Sequence, residues 1–251
     1  MIATLRDFLT LNGQVLYWIF VAPFRGKPFR VYPVVQQMVR IGVQAIPMTA
    51  LTSLSIGLTL AMQAAGELSR MGATDMVPEL IGMSLLRELG PLLVGVVVIG
   101  RSGSAVTAEI GTMKVSEEIE ALEAMAINPV RYLVVPRFIA MLVMLPVITV
   151  FGMYIGFAGG WTICRFALDM STELYLIRIL ESVSLTDLWS GMLKSLVFAW
   201  LIIGIACSTG LAVRGGAEGV GKATTQSVVK SIIAMLIANA VLTAIFFVFE
   251  R

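Results

Sequence analysis

The chain has 251 residues, of which 58% are hydrophobic and 14% charged, and its formal net charge is +2 at pH 7. Soluble domains are about one-quarter charged and about half apolar, so this composition excludes an ordinary soluble protein. Two cysteines and no histidine exclude a Cys/His metal site and a Cys/His nucleophile pair.

The N-terminal residues 1–24 are predicted to form an interfacial helix. Their apolar residues recur at helical spacing, and Tyr17 and Trp18 supply amphipathic rings suited to the headgroup level. The alternative is a sixth, short span, which polar side chains such as Arg6 and Asp7 disfavour. The start of the chain also lacks the features of a cleaved signal peptide.

Five later stretches are long enough to cross a hydrocarbon core, which takes about 20 apolar residues. These predicted spans lie near residues 41–66, 80–100, 138–164, 195–213 and 231–249. We therefore predict an all-α membrane protein with an N-terminal interfacial helix and about five transmembrane helices.

The distribution of basic residues predicts the orientation. With the N-terminus in the cytoplasm, the inner segments 1–40, 101–137 and 214–230 hold twelve of the eighteen basic residues. Positively charged loops face the cytoplasm in most membrane proteins. We therefore expect a cytoplasmic N-terminus and an outer C-terminus.

Only the second span contains charged residues, Arg87 and Glu88. Charges inside a span are costly and usually functional. Adjacent helix residues point about 100° apart, so these two do not pair well with each other. The other spans carry no charge, so the expected partners are a symmetry-related copy, water or a bound ligand.

An arginine suits a phosphate group, because its guanidinium grips two oxygens at once. Glu88 would orient that arginine in a dimer or meet an ammonium headgroup, and an interhelical ion pair that only fixes packing is the alternative. Pro91 removes a helical hydrogen bond, which predicts a kink beside the charges.

Other features of the spans give weaker signals. Gln44, Gln63 and Asn239 are each compatible with an interhelical hydrogen bond or with a pathway role. The overlapping G-x-x-x-G spacings in "GMYIG" and "GFAGG", which begin at Gly152 and Gly156, predict close helix packing.

The stretch "GGAEGVGKATT" comes within one residue of a phosphate-binding loop, but Ala223 stands where the magnesium-binding hydroxyl belongs. The connection between the flanking spans is too short for a nucleotide-binding domain. We interpret the glycines as a tight turn, with Thr224 or Thr225 capping the next helix. Any ATP hydrolysis must then occur in another chain.

Within residues 101–137, "VSEEIEALEAMAINP" predicts a short acidic amphipathic helix. Ser116 is the expected cap, and Asn128-Pro129 is expected to end the helix. Val115, Ile119, Leu122 and Ala126 are expected to share one face. Such a helix suits a groove on a partner protein, and a loop helix packed on its own bundle is the alternative.

The stretch "SLLRELGPLLVGVVVIGRSGSAVTAEIGTMKVSEEIEALEAMAINPVRYLVVPRF", with "GGAEGVGKATTQSVV", resembles the MlaE (YrbE-type) permeases, the membrane subunits of Mla and Mce lipid-transport ABC systems. The resemblance covers nearly the whole chain. It implies a single ABC permease domain over residues 1–251, with a cytoplasmic coupling loop at 101–137. It also implies a multi-pass protein of the bacterial inner membrane.

The resemblance implies partners as well: a homodimer joined to two ABC ATPase subunits, a hexameric MCE-domain protein and, in some systems, a STAS-domain regulator. The implied cargo is phospholipid, transported to help maintain outer-membrane lipid asymmetry. The chain itself is expected to hold no cofactor and no metal, with ATP and magnesium on the ATPase. Neither an activity as an enzyme nor nucleic-acid binding is expected.

Residue by residue, "LRELGP" places Arg87, Glu88 and Leu89 at the lipid-binding cavity. The predicted contacts to the ATPase fall on six residues of the acidic helix: Glu117, Glu118, Ile119, Glu120, Leu122 and Glu123.

Three other readings remain open. An ABC importer permease for another hydrophobic or polar solute is the nearest, because "EALEAMAINPVRYLVVP" loosely resembles the E-A-A loop of such permeases, although the usual glycine is missing. An intramembrane lipid enzyme would need a catalytic grouping within the spans, which contain no histidine or aspartate. The third alternative, a purely structural scaffold, does not explain why Arg87 and Glu88 lie within a span.

Overall fold

A computed structural model of the chain describes residues 2–21 and 31–249, and every regular element in those ranges is a helix. The eleven α-helices of this part of the chain are α1 (Ile2–Leu16), α2 (Val31–Ile41), α3 (Ile46–Arg70), α4 (Val77–Ser84), α5 (Gly90–Val98), α6 (Ser104–Val115), α7 (Glu118–Ala124), α8 (Val135–Ala167), α9 (Thr172–Ser182), α10 (Leu185–Leu211) and α11 (Gly216–Phe249). Short π-helical turns at Tyr17–Val21, Leu85–Leu89, Ile99–Gly103 and Val130–Val134 adjoin them, as do 3-10 turns at Val43–Ala45 and Thr74–Met76.

The prediction of an all-α protein with five spans is confirmed. Five helical stretches are long and apolar enough to cross a membrane: Val31–Arg70, Thr74–Val115, Val130–Ala167, Leu185–Leu211 and Gly216–Val248. The predicted interfacial helix corresponds to α1 and the turn that follows it. Its last predicted residues, 22–24, lie outside the described part of the chain.

The chain divides into two compact units. The first contains Met1–Ala45, Val98–Met144 and Val197–Ala238, within the described ranges. A buried hydroxyl ties its helices together, since Thr107 Oγ1 lies 2.8 Å from Ser227 Oγ and 3.2 Å from the carbonyl oxygen of Ala206. Phe138 meets Trp200 edge to face at 5.2 Å between ring centroids, a preferred aromatic geometry.

The second unit contains Ile46–Val97, Leu145–Leu196 and Asn239–Arg251, again within the described ranges. Its α3 and α8 pack almost backbone to backbone, because a Cβ added at Gly57 would lie 2.0 Å from the carbonyl oxygen of Gly156. A Cβ added at Gly159 would lie 2.6 Å from the carbonyl oxygen of Leu54. The predicted close packing through the G-x-x-x-G spacings is therefore confirmed.

The stretch that resembles a phosphate-binding loop is helical from Gly216 onward. The predicted tight turn is confirmed immediately before it, because Gly215 and Gly216 have φ of 91° and 70°, a region that favours glycine. The predicted cap is wrong. Thr224 and Thr225 lie inside α11 and donate to the helix's own carbonyls, because the helix begins two turns earlier than the sequence indicated.

Candidate functional site

The charged residues of the second span lie on the π-helical turn Leu85–Leu89. In this turn the amide of Gly90 donates to the carbonyl oxygen of Leu85, five residues back. Pro91 explains the irregularity, because it has no N–H and its ring would clash with the carbonyl four residues back, which is that of Arg87. Turns of this kind are frequent at functional sites. The structure therefore has a π turn at the position where the sequence predicted a kink.

The carbonyl oxygen of Arg87, which Pro91 deprives of its helical donor, accepts a hydrogen bond from Lys194 Nζ at 2.8 Å. The same ammonium lies 2.5 Å from Glu88 Oε1. It also donates to Thr243 Oγ1 at 2.9 Å. A single lysine on α10 therefore satisfies both the orphaned backbone and the acidic side chain of the turn.

Glu88 also binds to α11. Thr243 Oγ1 donates to its Oε1 at 2.8 Å, and Asn239 Nδ2 donates to its Oε2 at 3.0 Å. Asn239 and Thr243 are four residues apart, so both project from the same face of that helix. Of the two readings of Asn239, the interhelical hydrogen bond is the one observed.

Arg87 binds to α10 through Asp187. Its Nε lies 2.5 Å from Asp187 Oδ1. Asp187 is held in place by Ser184: Oδ2 accepts from the Ser184 amide and hydroxyl at 2.9 Å each, and the Asp187 amide donates back to Ser184 Oγ at 3.2 Å. This reciprocal arrangement is a capping box at the start of α10. The hydrogen bonds to Ser184 therefore orient the Asp187 carboxylate so that its other oxygen contacts Arg87.

Three residues of α10 share the face that meets this turn: Asp187, Gly191 and Lys194, spaced by four and three residues. A Cβ on Gly191 would lie 2.4 Å from the carbonyl oxygen of Leu86, a separation that real Cβ atoms do not show. A glycine is thus required where the two helices come closest, and this approach brings both ionic contacts within reach.

We name these four ionisable side chains and their two α11 partners the Arg87 cluster, which comprises Arg87, Glu88, Asp187, Lys194, Asn239 and Thr243. The formal charges of the cluster sum to zero. The side chains of Asp187 and Lys194 are each only 2% exposed, whereas those of Arg87 and Glu88 are 43% and 35% exposed. The cluster therefore presents one cation and one anion side by side, each supported from behind by a buried counter-ion.

An apolar groove of about 580 Å³ begins next to the Arg87 cluster. Its walls include Leu86 and Leu188, the sequence neighbours of Arg87 and Asp187, and it extends to Tyr154, Phe157 and Trp161. Volumes of this size are typical of sites for small organic ligands. Leu89, the third predicted site residue, instead packs at the edge of the buried cluster that contains Leu85 and Tyr175.

The expectation that a second copy, water or a ligand would supply the ionic partners of Arg87 and Glu88 was wrong, and the alternative, interhelical ion pairs, is the one observed. Within the described part of the chain, Arg87 and Glu88 already have ionic partners on α10, without any second copy or ligand. The predicted fourth span began at residue 195, whereas α10 begins at Leu185 and carries Asp187 and Lys194 inside the helix. The capping-box pattern "SLTD" was the available signal for that earlier start.

The acidic helix α7 lies in the first unit and is shorter than predicted. Ile119 is buried at 4% exposure and Leu122 is half-buried, but Val115 and Ala126 are exposed, so the predicted four-residue face is not formed. The four predicted acidic contacts all face solvent: Glu117, Glu118, Glu120 and Glu123. The helix is thus anchored by one apolar side chain beneath an acidic outer surface.

The ends of α7 also differ from the prediction. Ser116 does not cap it, since its hydroxyl donates to the carbonyl oxygen of Thr112 and to the Glu118 carboxylate. Left-handed residues bound the helix instead, Glu117 with φ of 59° and Ala126 with φ of 58°. Asn128 precedes the next helical turn, Val130–Val134, and its Oδ1 accepts a hydrogen bond from the Arg131 amide in that turn at 3.1 Å.

Comparison with known proteins gives one consistent assignment. The family model described as Permease MlaE matches residues 34–245. A protein of Haemophilus influenzae named intermembrane phospholipid transport system permease protein MlaE is 35% identical over 96% of this chain and 94% of its own. A probable ABC transporter permease of Rickettsia prowazekii is 37% identical over 92% of this chain and 89% of its own.

A chloroplast relative shows how widely the sequence pattern extends. The Arabidopsis thaliana protein named trigalactosyldiacylglycerol 1 is 35% identical over 84% of this chain and 61% of its own. With matches of this length, and five helices able to cross a membrane, the chain belongs to the MlaE permease family.

Proposed function

We propose that the chain is the membrane subunit of an ABC transporter that moves phospholipid between the bacterial inner membrane and an MCE-domain partner. In this role it would help to maintain outer-membrane lipid asymmetry. The observation that carries the proposal is the Arg87 cluster at the edge of a groove of about 580 Å³ lined by apolar side chains. A phospholipid combines the two chemistries that this site offers, a charged headgroup and apolar chains.

The charges of the site favour a headgroup over a simple ion. Arg87 can orient a phosphate with paired hydrogen bonds, because guanidinium is always charged and planar. Glu88, next to it and partly exposed, can accept from an ammonium group. A polar solute is a poorer fit, because it would leave the apolar walls from Leu86 to Trp161 without a partner.

The acidic helix supports coupling to an ATPase. Ile119 fixes α7 to the first unit while its carboxylates stay exposed, which leaves a rigid acidic surface for another protein. We propose that Glu117, Glu118, Ile119, Glu120, Leu122 and Glu123 form or support this contact. ATP and magnesium would be held by the two ATPase subunits.

The remaining parts of the proposal follow the family. They are a homodimer, a hexameric MCE-domain protein on the outer side, a STAS-domain regulator in some systems, a cytoplasmic N-terminus and an outer C-terminus. In the proposed cycle, closure of the ATPase dimer moves the α7 helices, and the groove beside Arg87 then releases its lipid. The buried counter-ions Asp187 and Lys194 keep the two exposed charges in place during that movement.

The decisive experiment separates a lipid-binding role of Arg87 from a packing role. The transporter is purified with its partners, and the phospholipid retained per complex is measured by mass spectrometry for R87A, D187N and the double variant R87A/D187N. We expect R87A to lose most of the lipid and D187N to keep it, because D187N retains the guanidinium. The double variant should lose lipid as R87A does.

The control is R165A. Arg165 lies in the same unit and is exposed, and neither of its chain neighbours is among the described residues that line the groove. Its loss should not change lipid retention. Recovery of lipid in the double variant would mean that R87A acts only by leaving Asp187 unpaired, and it would overturn the phosphate role.

A further inference from the structure

We propose that the first unit carries a second binding site, for the phosphate group of an anionic phospholipid, built on Arg101. The residues around it are Arg40, Gln44, Arg101, Ser102, Glu109 and Arg137, which we name the Arg101 cluster. None of them belongs to the Arg87 cluster.

The sequence positions of the three arginines place them at the level of the headgroups. Arg40 directly precedes the charge-free run 41–66, Arg137 directly precedes the charge-free run 138–164, and Arg101 directly follows the apolar run 89–100. Basic residues at the ends of apolar spans lie where the hydrocarbon core gives way to lipid phosphates. The fold then brings the three together.

The cluster has more positive than negative charge. Glu109 is its only carboxylate within the described part of the chain, and each of its oxygens is already occupied. Oε1 lies 2.9 Å from Arg40 Nη1, and Oε2 lies 3.0 Å from Arg137 Nη2. Three guanidinium groups and one carboxylate give a formal charge of +2.

Arg101 is the cation that this carboxylate does not neutralise. Its Nη1 donates to the carbonyl oxygen of Arg40 at 3.1 Å and to Ser102 Oγ at 3.3 Å, and its Nη2 donates to Gln44 Oε1 at 3.1 Å. All three acceptors are neutral. They hold the guanidinium in one orientation without cancelling its charge, which is the arrangement that an anion site requires.

A pocket of about 430 Å³ opens beside these groups, and its charged walls are Arg40, Arg101 and Glu109, two cations and one anion. The side chain of Arg40 is 53% exposed, so the pocket is accessible from outside the unit. Basic pockets between transmembrane helices bind the headgroups of anionic lipids. The same phosphate chemistry is available from free phosphate, and the test below distinguishes the two sources.

The test uses the full-length chain, with its partners, in nanodiscs that contain equal amounts of phosphatidylglycerol and phosphatidylcholine. Mass spectrometry counts each lipid retained after gentle extraction, for wild type, R101Q, R101K and K230Q. Lys230 is the matched control, because it also directly precedes a charge-free run, 231–249, and is exposed.

We expect R101Q to reduce the phosphatidylglycerol retained relative to phosphatidylcholine by about tenfold, the equivalent of about 1.4 kcal/mol, because it removes a charged hydrogen bond that the pocket makes and an isolated surface lysine does not. R101K should recover much of the loss, and K230Q should match the wild type. Equal retention by wild type and R101Q, or an equal loss in K230Q, would overturn the proposal. Should R101Q fail to fold, R40Q tests the same pocket at a more exposed position.

A second arm identifies the source of the phosphate. Inorganic phosphate is titrated into the detergent-solubilised chain without phosphatidylglycerol, and binding is measured by calorimetry. Binding that R101Q abolishes, in the absence of selective lipid retention, would show that the occupant is soluble phosphate. Selective lipid retention without phosphate binding would show that the headgroup is recognised together with its lipid. Because no residue of this site belongs to the Arg87 cluster, R87A should lower the total lipid retained but should leave phosphate binding and the effect of R101Q on the ratio of phosphatidylglycerol to phosphatidylcholine unchanged.

Discussion

The Arg87 cluster and the Arg101 cluster both place charged side chains next to a membrane, but they differ in how far those charges are neutralised. In the first, two cations and two anions alternate, and the buried members, Asp187 and Lys194, are 2% exposed. In the second, Glu109 is the one carboxylate among three cations in the described part of the chain, and it pairs with two of them, Arg40 and Arg137. The first cluster is thus internally balanced and depends on its own partners, while the second retains a charge that an outside anion can neutralise.

The two clusters should therefore differ in how much stability they lose when one charge is removed. Breaking a buried ion pair leaves an uncompensated charge and costs about 3–5 kcal/mol. Removing one cation from a group that has an excess costs far less, because the carboxylate keeps another partner. The loss of stability measured for substitutions in the Arg87 cluster should therefore exceed that measured in the Arg101 cluster.

The largest loss of folding stability is expected for K194M. Among the described residues, Lys194 supplies the one ammonium that contacts Glu88, and it also donates to the Arg87 carbonyl oxygen. The change removes both contacts and should lower the free energy of unfolding by about 3 kcal/mol. Unfolding in detergent is followed by tryptophan fluorescence. The double variant K194M/E88Q should recover part of the loss, because it also removes the stranded charge. An exposed lysine change, K222M, is the control, with an expected effect within about 0.5 kcal/mol.

The second-largest loss of folding stability is expected for G191A. The new Cβ would meet the carbonyl oxygen of Leu86 at 2.4 Å, so α10 must shift, at a cost of about 1–3 kcal/mol. The paired change G221A adds a Cβ with nothing within 4 Å and should leave stability unchanged or raise it by up to about 1 kcal/mol. Equal stabilities for the two variants would mean that the close approach of α10 does not hold the Arg87 cluster together.

A smaller effect is expected for R137Q in the Arg101 cluster. Arg137 is buried, but Glu109 keeps Arg40 as an ionic partner, so the loss should be about 1–2 kcal/mol, below that of K194M. R40Q, at a more exposed position, should cost less than about 1 kcal/mol. A loss for R137Q as large as that for K194M would remove the distinction between the two clusters.

The smallest effect concerns pH and the acidic helix, which belongs to neither cluster. A hydrogen bond from Lys114 lowers the pKa of the exposed Glu120 carboxyl below its ordinary value of 4.5. A lowered pKa in the folded state gives stability that is present above 4.5 and is lost as the pH falls through the folded pKa. Melting curves from pH 6 to pH 3 should therefore show a slightly weaker acid dependence in E120Q than in wild type. An identical dependence would mean that the ion pair does not persist in solution.

The sequence alone determined the number of spans and the residues to examine. A span is specified by the length of an apolar run, which is a local property, so five spans were predicted and five are found. The spacing of Gly152 and Gly156 predicted helix packing, and "RELGP" pointed to Arg87 and Glu88. These predictions could be made from the sequence because each rests on a local pattern and none requires knowing which helices are neighbours.

Only the tertiary structure determines which charged side chains pair with each other. Asp187 and Lys194 stand a hundred or more residues from Arg87 and Glu88, and only the packing of α10 at Gly191 brings them together. The same holds for Glu109, which is 69 residues from Arg40 yet takes two arginines as partners and leaves Arg101 to neutral groups. Electrostatic energy depends on distance in space, which a linear sequence does not record, so the charges could be identified from the sequence but not their balance.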